Sequence, residues 1–179
     1  MGRRTAIERA IWELPALDPA EGACVQLFME SSLRLFAALN HRLITEHGLP
    51  LFGVLVLDLL ARSASGSVRM GDIAEEFAMA PSRVTQLITR LEARGLVARR
   101  QHPGDRRAVL ACITDEGRGL HRPAVATYAR AIRVHYLERL SRPQAIALGD
   151  VCRRTGAQMR PAGARRTRHS TTGIPAVTV

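Results

Sequence analysis

The chain has 179 residues, 46% of them apolar and only 4% aromatic, and a formal charge of +10 carried by 26 arginines and no lysine. A chain this apolar and this long folds as one domain or two small interlocked ones, with a core of aliphatic helix packing. A membrane-spanning class is excluded by the longest apolar run, LPLFGVLVLDLLA at 49–61, which is too short to cross a bilayer and carries Asp58.

In chain order, TAIERAIWELPALD (5–18) predicts a short helix ended near Pro15, with Ile7, Ala10, Ile11 and Leu14 on one face and Trp12 beside it. Residues 21–46 form a long amphipathic helix, with Val25, Phe28, Met29, Ser32, Leu35, Phe36, Leu39 and Leu43 spaced at i, i+3, i+4. Gly48 stops it, and Pro50 starts a second helix that runs to about Ala64. SASGS reads as a loop. GDIAEEFAM (71–79) predicts a short helix burying Ile73, Ala74 and Phe77. After a tight break comes PSRVTQLITRLEAR (81–94), with Pro81 at its first position, a weak N-cap at Ala80 and Gly95 just past its end. LVARRQHP (96–103) and RAVLACIT (107–114) read as two strands around the turn PGDR. Residues 115–140 predict a long helix, with Asp115 and Glu116 suited to its N-terminal dipole and Pro123 either kinking it or marking its true start. Residues 141–159 predict a last helix capped by Ser141, with apolar contacts from Ile146, Leu148, Val151 and Cys152. The remainder lacks periodicity and reads as a disordered basic tail.

Arginine-only usage reads either as GC-rich codon usage or as guanidinium kept for phosphate. Its distribution says more. Residues 1–61 hold 5 Arg and 7 acids, 62–107 hold 9 and 5, 108–150 hold 6 and 4, and 151–179 hold 6 Arg and no acid. An excess in the centre and the tail points to a polyanionic partner. Cys24, Cys112 and Cys152 are far apart, with no CxxC and no signal peptide, so a reduced cytoplasmic protein is expected. His41 and His47 lie six apart, which suits no metal site. No nucleophile elbow or phosphate loop is present, and Asp58 is the one candidate for a perturbed pKa. No enzyme, cofactor or metal is therefore expected.

Two short helices, a tight turn and a basic hairpin predict a winged helix-turn-helix, in a fold that is mainly α with a small β-hairpin wing. On the second short helix, Val84, Leu87, Ile88 and Leu91 form an apolar stripe. Ser82, Gln86 and Thr89 point the opposite way, flanked by Arg83, Thr85 and Arg90, and no acid lies between positions 82 and 90. That chemistry suits base edges and phosphates in a major groove. At the hairpin tip, Asp105 is placed to hold the Arg107 guanidinium for a narrow minor groove, while Arg99, Arg100 and Arg106 reach phosphates.

Over residues 51–120 the chain resembles the MarR (multiple antibiotic resistance regulator) family. The shared pattern is E-x-x-G-L-V at Glu92, Gly95, Leu96 and Val97, the wing D-x-R at Asp105 and Arg107, and T-x-x-G at Thr114 and Gly117. The resemblance implies a DNA-binding regulator, usually a repressor. It also implies a homodimer whose terminal helices intertwine, and a palindromic site read by two recognition helices one DNA turn apart. The implied organisation is dimerisation helices and ligand cleft in 1–64, the DNA-binding domain in 65–114, dimerisation helices in 115–159 and a basic tail in 160–179. IWELPALDP is similar to the PecS-like, urate-responsive branch, whose pocket Trp is matched by Trp12. Gly53 and Leu60 stand where that branch has Asp and Arg, which implies a less polar, aromatic or phenolic effector. Of that branch's pocket only Trp12 carries over; the candidate pocket residues of this chain are Trp12, Phe28, Ser32, Phe36, Phe52 and Asp58. Two alternatives stay open: a constitutive or architectural DNA protein without effector, and a thiol sensor using Cys24, as in the family's organic-peroxide sensors.

Overall fold

Asp18 opens the first described helix. Its carboxylate accepts from the backbone N–H of Ala20 at 2.7 Å and of Glu21 at 2.9 Å, and the Glu21 carboxylate accepts from the Asp18 N–H at 2.9 Å. This reciprocal capping box, with Pro19 in the first turn, starts the helix two residues ahead of the expected point. The computed structural model describes residues 15–158. The expected short helix at 5–18 lies almost wholly outside them, as do Trp12 and the basic tail.

The first helix, α1 (Pro19–His47), ends at Gly48, whose φ of +64° suits glycine and whose N–H bonds the Ile44 and Leu43 carbonyls. The chain then bends by 75° into α2 (Leu51–Arg62), where the Asn40 side chain accepts from the Leu51 N–H at 2.9 Å. A short strand β1 (Ser67–Arg69) follows, then α3 (Met70–Glu76), α4 (Pro81–Ala93), β2 (Val97–His102), β3 (Asp105–Ile113), α5 (Asp115–His135), a 3-10 turn (Leu137–Arg139) and α6 (Arg142–Gln158). Among the described residues, no single helix is long and apolar enough to cross a membrane.

The sheet is antiparallel in the order β1-β3-β2, with Val68 opposite Ala111 and Val97 opposite Ile113. Strand β1 was not anticipated. Three residues show no alternation, and only pairing with β3 makes them a strand. The C-terminal part of α1, with α2, α4 and the sheet, encloses Leu43, Leu49, Val54, Leu57, Leu60, Ile73, Ile88, Leu91 and Val97, all essentially inaccessible. Helix α5 starts at Asp115, where the Thr114 hydroxyl accepts from the Gly117 N–H at 3.0 Å, and it runs through Pro123 without a break. It ends at His135, short of the expected 140. Ser141 and Gln144 exchange side-chain bonds with each other's backbone N–H at the start of α6, as the sequence implied.

The amphipathic stripe of α1 behaves differently at its two ends. Leu39 and Leu43 are buried, but Val25, Phe28, Met29 and Phe36 on the same stripe are exposed, Phe28 by 54%. Ile146 and Val151 of α6 are likewise exposed, as is Cys152, so the contacts expected of them are not made within the chain. The described chain leaves an apolar surface that its own core does not cover.

Thr127 is a buried polar residue joining α1 to α5. Its hydroxyl donates to Glu46 Oε2 at 3.0 Å, lies 2.9 Å from His47 Nε2 and accepts from Arg130 at 2.9 Å. The Thr127 hydrogen bond, against an opposing effect of burial and helped by Arg42, holds the Glu46 carboxyl below its ordinary range. A depressed folded-state value adds stability above the ordinary carboxylate range, and that stability is lost as pH falls through the folded value. Thr127→Val is therefore expected to be less stable than wild type near neutrality and to converge with it in acid. Urea midpoints between about pH 7 and about pH 3 check this.

Candidate nucleic-acid interface

Helix α4 buries Val84, Leu87, Ile88 and Leu91, as its stripe predicts. Ser82, Arg83, Thr85, Gln86, Thr89 and Arg90 are all exposed on its other side. Ala80 makes no side-chain cap, and Ala78 before it takes φ +49°, a strained value for a residue with a Cβ. The Thr85 and Thr89 hydroxyls donate back to the carbonyls of Pro81 at 3.0 Å and Thr85 at 2.9 Å. Glu92, the acid at the end of the helix, accepts from the Arg99 N–H at 3.2 Å and lies 3.6 Å from its guanidinium.

Arg99 was expected at phosphates. Its guanidinium instead donates to the Thr85 carbonyl at 3.1 Å and to the Thr89 hydroxyl, bracing the wing against α4. The expected orientation of Arg107 by Asp105 also differs in kind. Asp105 Oδ1 accepts from the Arg107 backbone N–H at 3.0 Å, while Oδ2 faces the Arg69 guanidinium at 3.6 Å. Over a two-residue separation an aspartate reaches the backbone N–H more readily than a long side chain, and β1 brings in Arg69. That partner was invisible in sequence, because its strand was.

The wing turns at Pro103–Gly104. Its pairing passes from Gln101 opposite Val109 to His102 opposite Asp105, so residues 106–108 leave the ladder, and the Gln101 side-chain amide donates to the Arg106 carbonyl. Arg106 and Arg107 therefore sit on a bulge at the tip, which re-aims side chains away from the ladder. Arg69, Asp72, Thr85, Arg99 and Arg107 line one groove of about 490 Å³. Thr85 of α4 and Arg99 and Arg107 of the wing thus share one groove. Asp105→Ala is expected to free the tip and weaken DNA binding about fivefold to tenfold, from roughly 1 kcal/mol of lost pre-organisation. Unchanged affinity in an anisotropy titration would show that this carboxylate does not hold the tip.

Of the six residues expected to share a ligand pocket, Trp12 lies outside the described residues and the other five fall on two helices, α1 and α2. Phe28, Ser32 and Phe36 share the exposed stripe of α1. Phe52 packs edge-on against Phe77, with ring centroids 6.2 Å apart. Asp58 bonds His121 Nε2 of α5 at 3.0 Å and Arg62 at 2.6 Å. Burial, and then the Asp58 carboxylate, pushes the Tyr128 hydroxyl up. None of the five described residues lines either of the two clefts around α4. His121 was missed because it lies 63 positions from Asp58, with no local signal joining them. Cys24 is exposed on α1.

A short α3, a turn, an amphipathic α4 and a basic two-stranded wing define a winged helix-turn-helix protein. The MarR family profile matches residues 47–108. Two proteins of Bacillus subtilis (strain 168) are similar. The HTH-type transcriptional regulator MhqR is 32% identical over 101 residues, covering 51% of this chain and 68% of that protein. The HTH-type transcriptional repressor MdtR is 35% identical over 86 residues, covering 48% of this chain and 55% of that protein, so the match spans about half of its length. Among solved structures, Sco3205, a MarR family regulator from Streptomyces coelicolor in complex with DNA, aligns at TM-score 0.79 and 28% identity, over 83% of this chain and 93% of that one. CouR from Rhodococcus jostii RHA1, bound to p-coumaroyl-CoA, aligns at 0.66 and 27%, over 78% and 93%. The chain belongs to the MarR family. These relatives are transcriptional regulators, not enzymes.

Proposed function

We propose that the protein is a homodimeric transcriptional regulator, a repressor, that binds palindromic DNA and is released by a small aromatic or phenolic effector. The observation that carries the reading is the exposed face of α4, with Ser82, Arg83, Gln86 and Arg90, together with the exposed wing arginines Arg106 and Arg107. Side chains such as these bond base edges in the major groove, and an arginine on a wing enters a narrow minor groove. Residues 65–114 form the DNA-binding unit. Residues 1–64 and 115–159 form the dimer scaffold and ligand cleft, and the tail at 160–179 adds charge toward phosphate.

The exposed apolar stripe of α1, together with Ile146 and Val151 of α6, supports the dimer, since a second copy covers such a surface without new chemistry. Phe28 and Phe36 would then line a cleft between copies. The p-coumaroyl-CoA bound by CouR is consistent with an aromatic occupant.

The test is fluorescence anisotropy on the DNA upstream of the protein's own gene, with excess non-specific competitor. Binding that survives competitor, then falls on addition of a phenolic acid, is the expected result. Binding abolished by competitor at that site and at sites selected from random duplexes would overturn the sequence-specific reading. The salt slope, about −0.9 per phosphate contact, then counts the arginines engaged.

A further inference from the structure

An arginine at the C-terminal end of one helix reaches the C-terminal end of another. Helix α1 ends at His47 and turns at Gly48. Helix α4 ends at Ala93, with Arg94 as its cap residue, and Gly95 at φ +70° turns the chain toward β2. Each end is the negative pole of a helix dipole and carries carbonyls without helical partners. A cation is stabilised at such an end.

Arg94 is that cation. Its Nη1 donates to the Gly48 carbonyl at 2.6 Å and its Nη2 to the His47 carbonyl at 3.3 Å. A planar guanidinium presents its N–H groups in a rigid fork toward two acceptors, where an ammonium is a point charge on a flexible stem. The carbonyls it grips belong to a fixed part of the scaffold. His47 and Glu46 are tied to α5 through Thr127, and Asn40 is tied to the first turn of α2. The other end of α4 has no side-chain cap.

We infer that Arg94 is a positioning residue. It ties the end of the recognition helix α4 to the end of α1, and so sets the separation and angle at which two copies present α4 to DNA. The inference rests on the dimeric, palindrome-binding reading above. Arg94 acts through α1 and does not itself read bases.

The experiment compares wild type, Arg94→Ala and Arg94→Lys on a site that the wild type selects from random duplexes. The probes are that site, its single half-site, and versions with one or two base pairs added or removed between half-sites. Arg94→Ala is expected to keep half-site affinity within about twofold while losing at least about fivefold of its discrimination between native and altered spacing, with Arg94→Lys between. A merely structural role would weaken all probes alike, and that result, or identical spacing profiles, overturns the inference.

A second readout needs no DNA. Spin labels at Arg90→Cys, with exposed Cys24 and Cys152 changed to Ser and buried Cys112 left in place, report the distance between recognition helices across the dimer. Arg94→Ala is expected to broaden that distribution, and an unchanged width overturns the tie. Where Arg94→Ala fails to fold, Arg94→Lys carries both measurements. Failure of the regulator reading shows separately, in the wild type, as no selected palindrome or as a monomer. Labels at His41→Cys and Arg90→Cys then test the tie within one chain, where an unchanged width again overturns it.

Discussion

Gly117→Ala is expected to cost about 3 kcal/mol, near the upper end for overpacking, and to lower the melting temperature by roughly 6–12 °C. Gly117 is buried in the first turn of α5. A Cβ there would lie well inside the van der Waals radius of the Leu96 carbonyl oxygen and 2.9 Å from Ile113 Cγ1. The Leu96 oxygen is backbone and cannot swing away. It accepts from the Thr114 N–H at 3.2 Å, while the Thr114 hydroxyl donates to the Gly95 carbonyl at 2.7 Å and caps the Gly117 N–H. Displacing Leu96 thus disturbs the junction where α4, the sheet and α5 meet. Gly119→Ala is the control. No atom lies within 4 Å of its Cβ position, and alanine favours the helix, so no loss or a gain of about 0.5–1 kcal/mol is expected. Thermal or urea unfolding of both variants at one protein concentration makes the comparison, and equal midpoints would sink it.

Phe28→Glu is expected to leave the fold intact and to abolish the proposed dimer, with a loss of two orders of magnitude or so in affinity for the proposed palindromic site, the gain that linking two half-sites brings. Phe28 is 54% exposed and lies on the same stripe as Val25 and Phe36, which are also exposed. A charge placed there disturbs little inside the chain. Across a second copy it would be buried without a partner, which costs several kcal/mol. Sedimentation velocity reads the oligomer, and anisotropy on whole and half sites reads the binding. A variant that remains dimeric would place the subunit contact elsewhere.

Much of the DNA-binding unit was legible in the sequence. The apolar period of α4 placed Val84, Leu87, Ile88 and Leu91 inside and the polar set outside, as found. Gly48 and Gly95 mark helix ends because both take positive φ. These features depend on neighbours within a turn or two, where side-chain geometry is dictated by local backbone. The recurring motif also acquires a physical account: Glu92 holds Arg99, Thr114 joins two helix ends, and Gly117 leaves room for the Leu96 carbonyl.

What the sequence by itself determined was thus the order of the described α-helices and of the two wing strands, and the chemistry of the face they present. Only the tertiary structure decided which polar groups are spent within the chain. Arg99 is used on α4, Asp105 on a backbone N–H and on Arg69, Asp58 on His121, and Arg94 on the end of α1. The structure also decided that one stripe of α1 is core at Leu39 and surface at Phe28. The reason is common to all of these. Hydrogen-bond partners and burial are properties of approach in space, and segments tens of residues apart leave no periodicity in the sequence to announce their meeting.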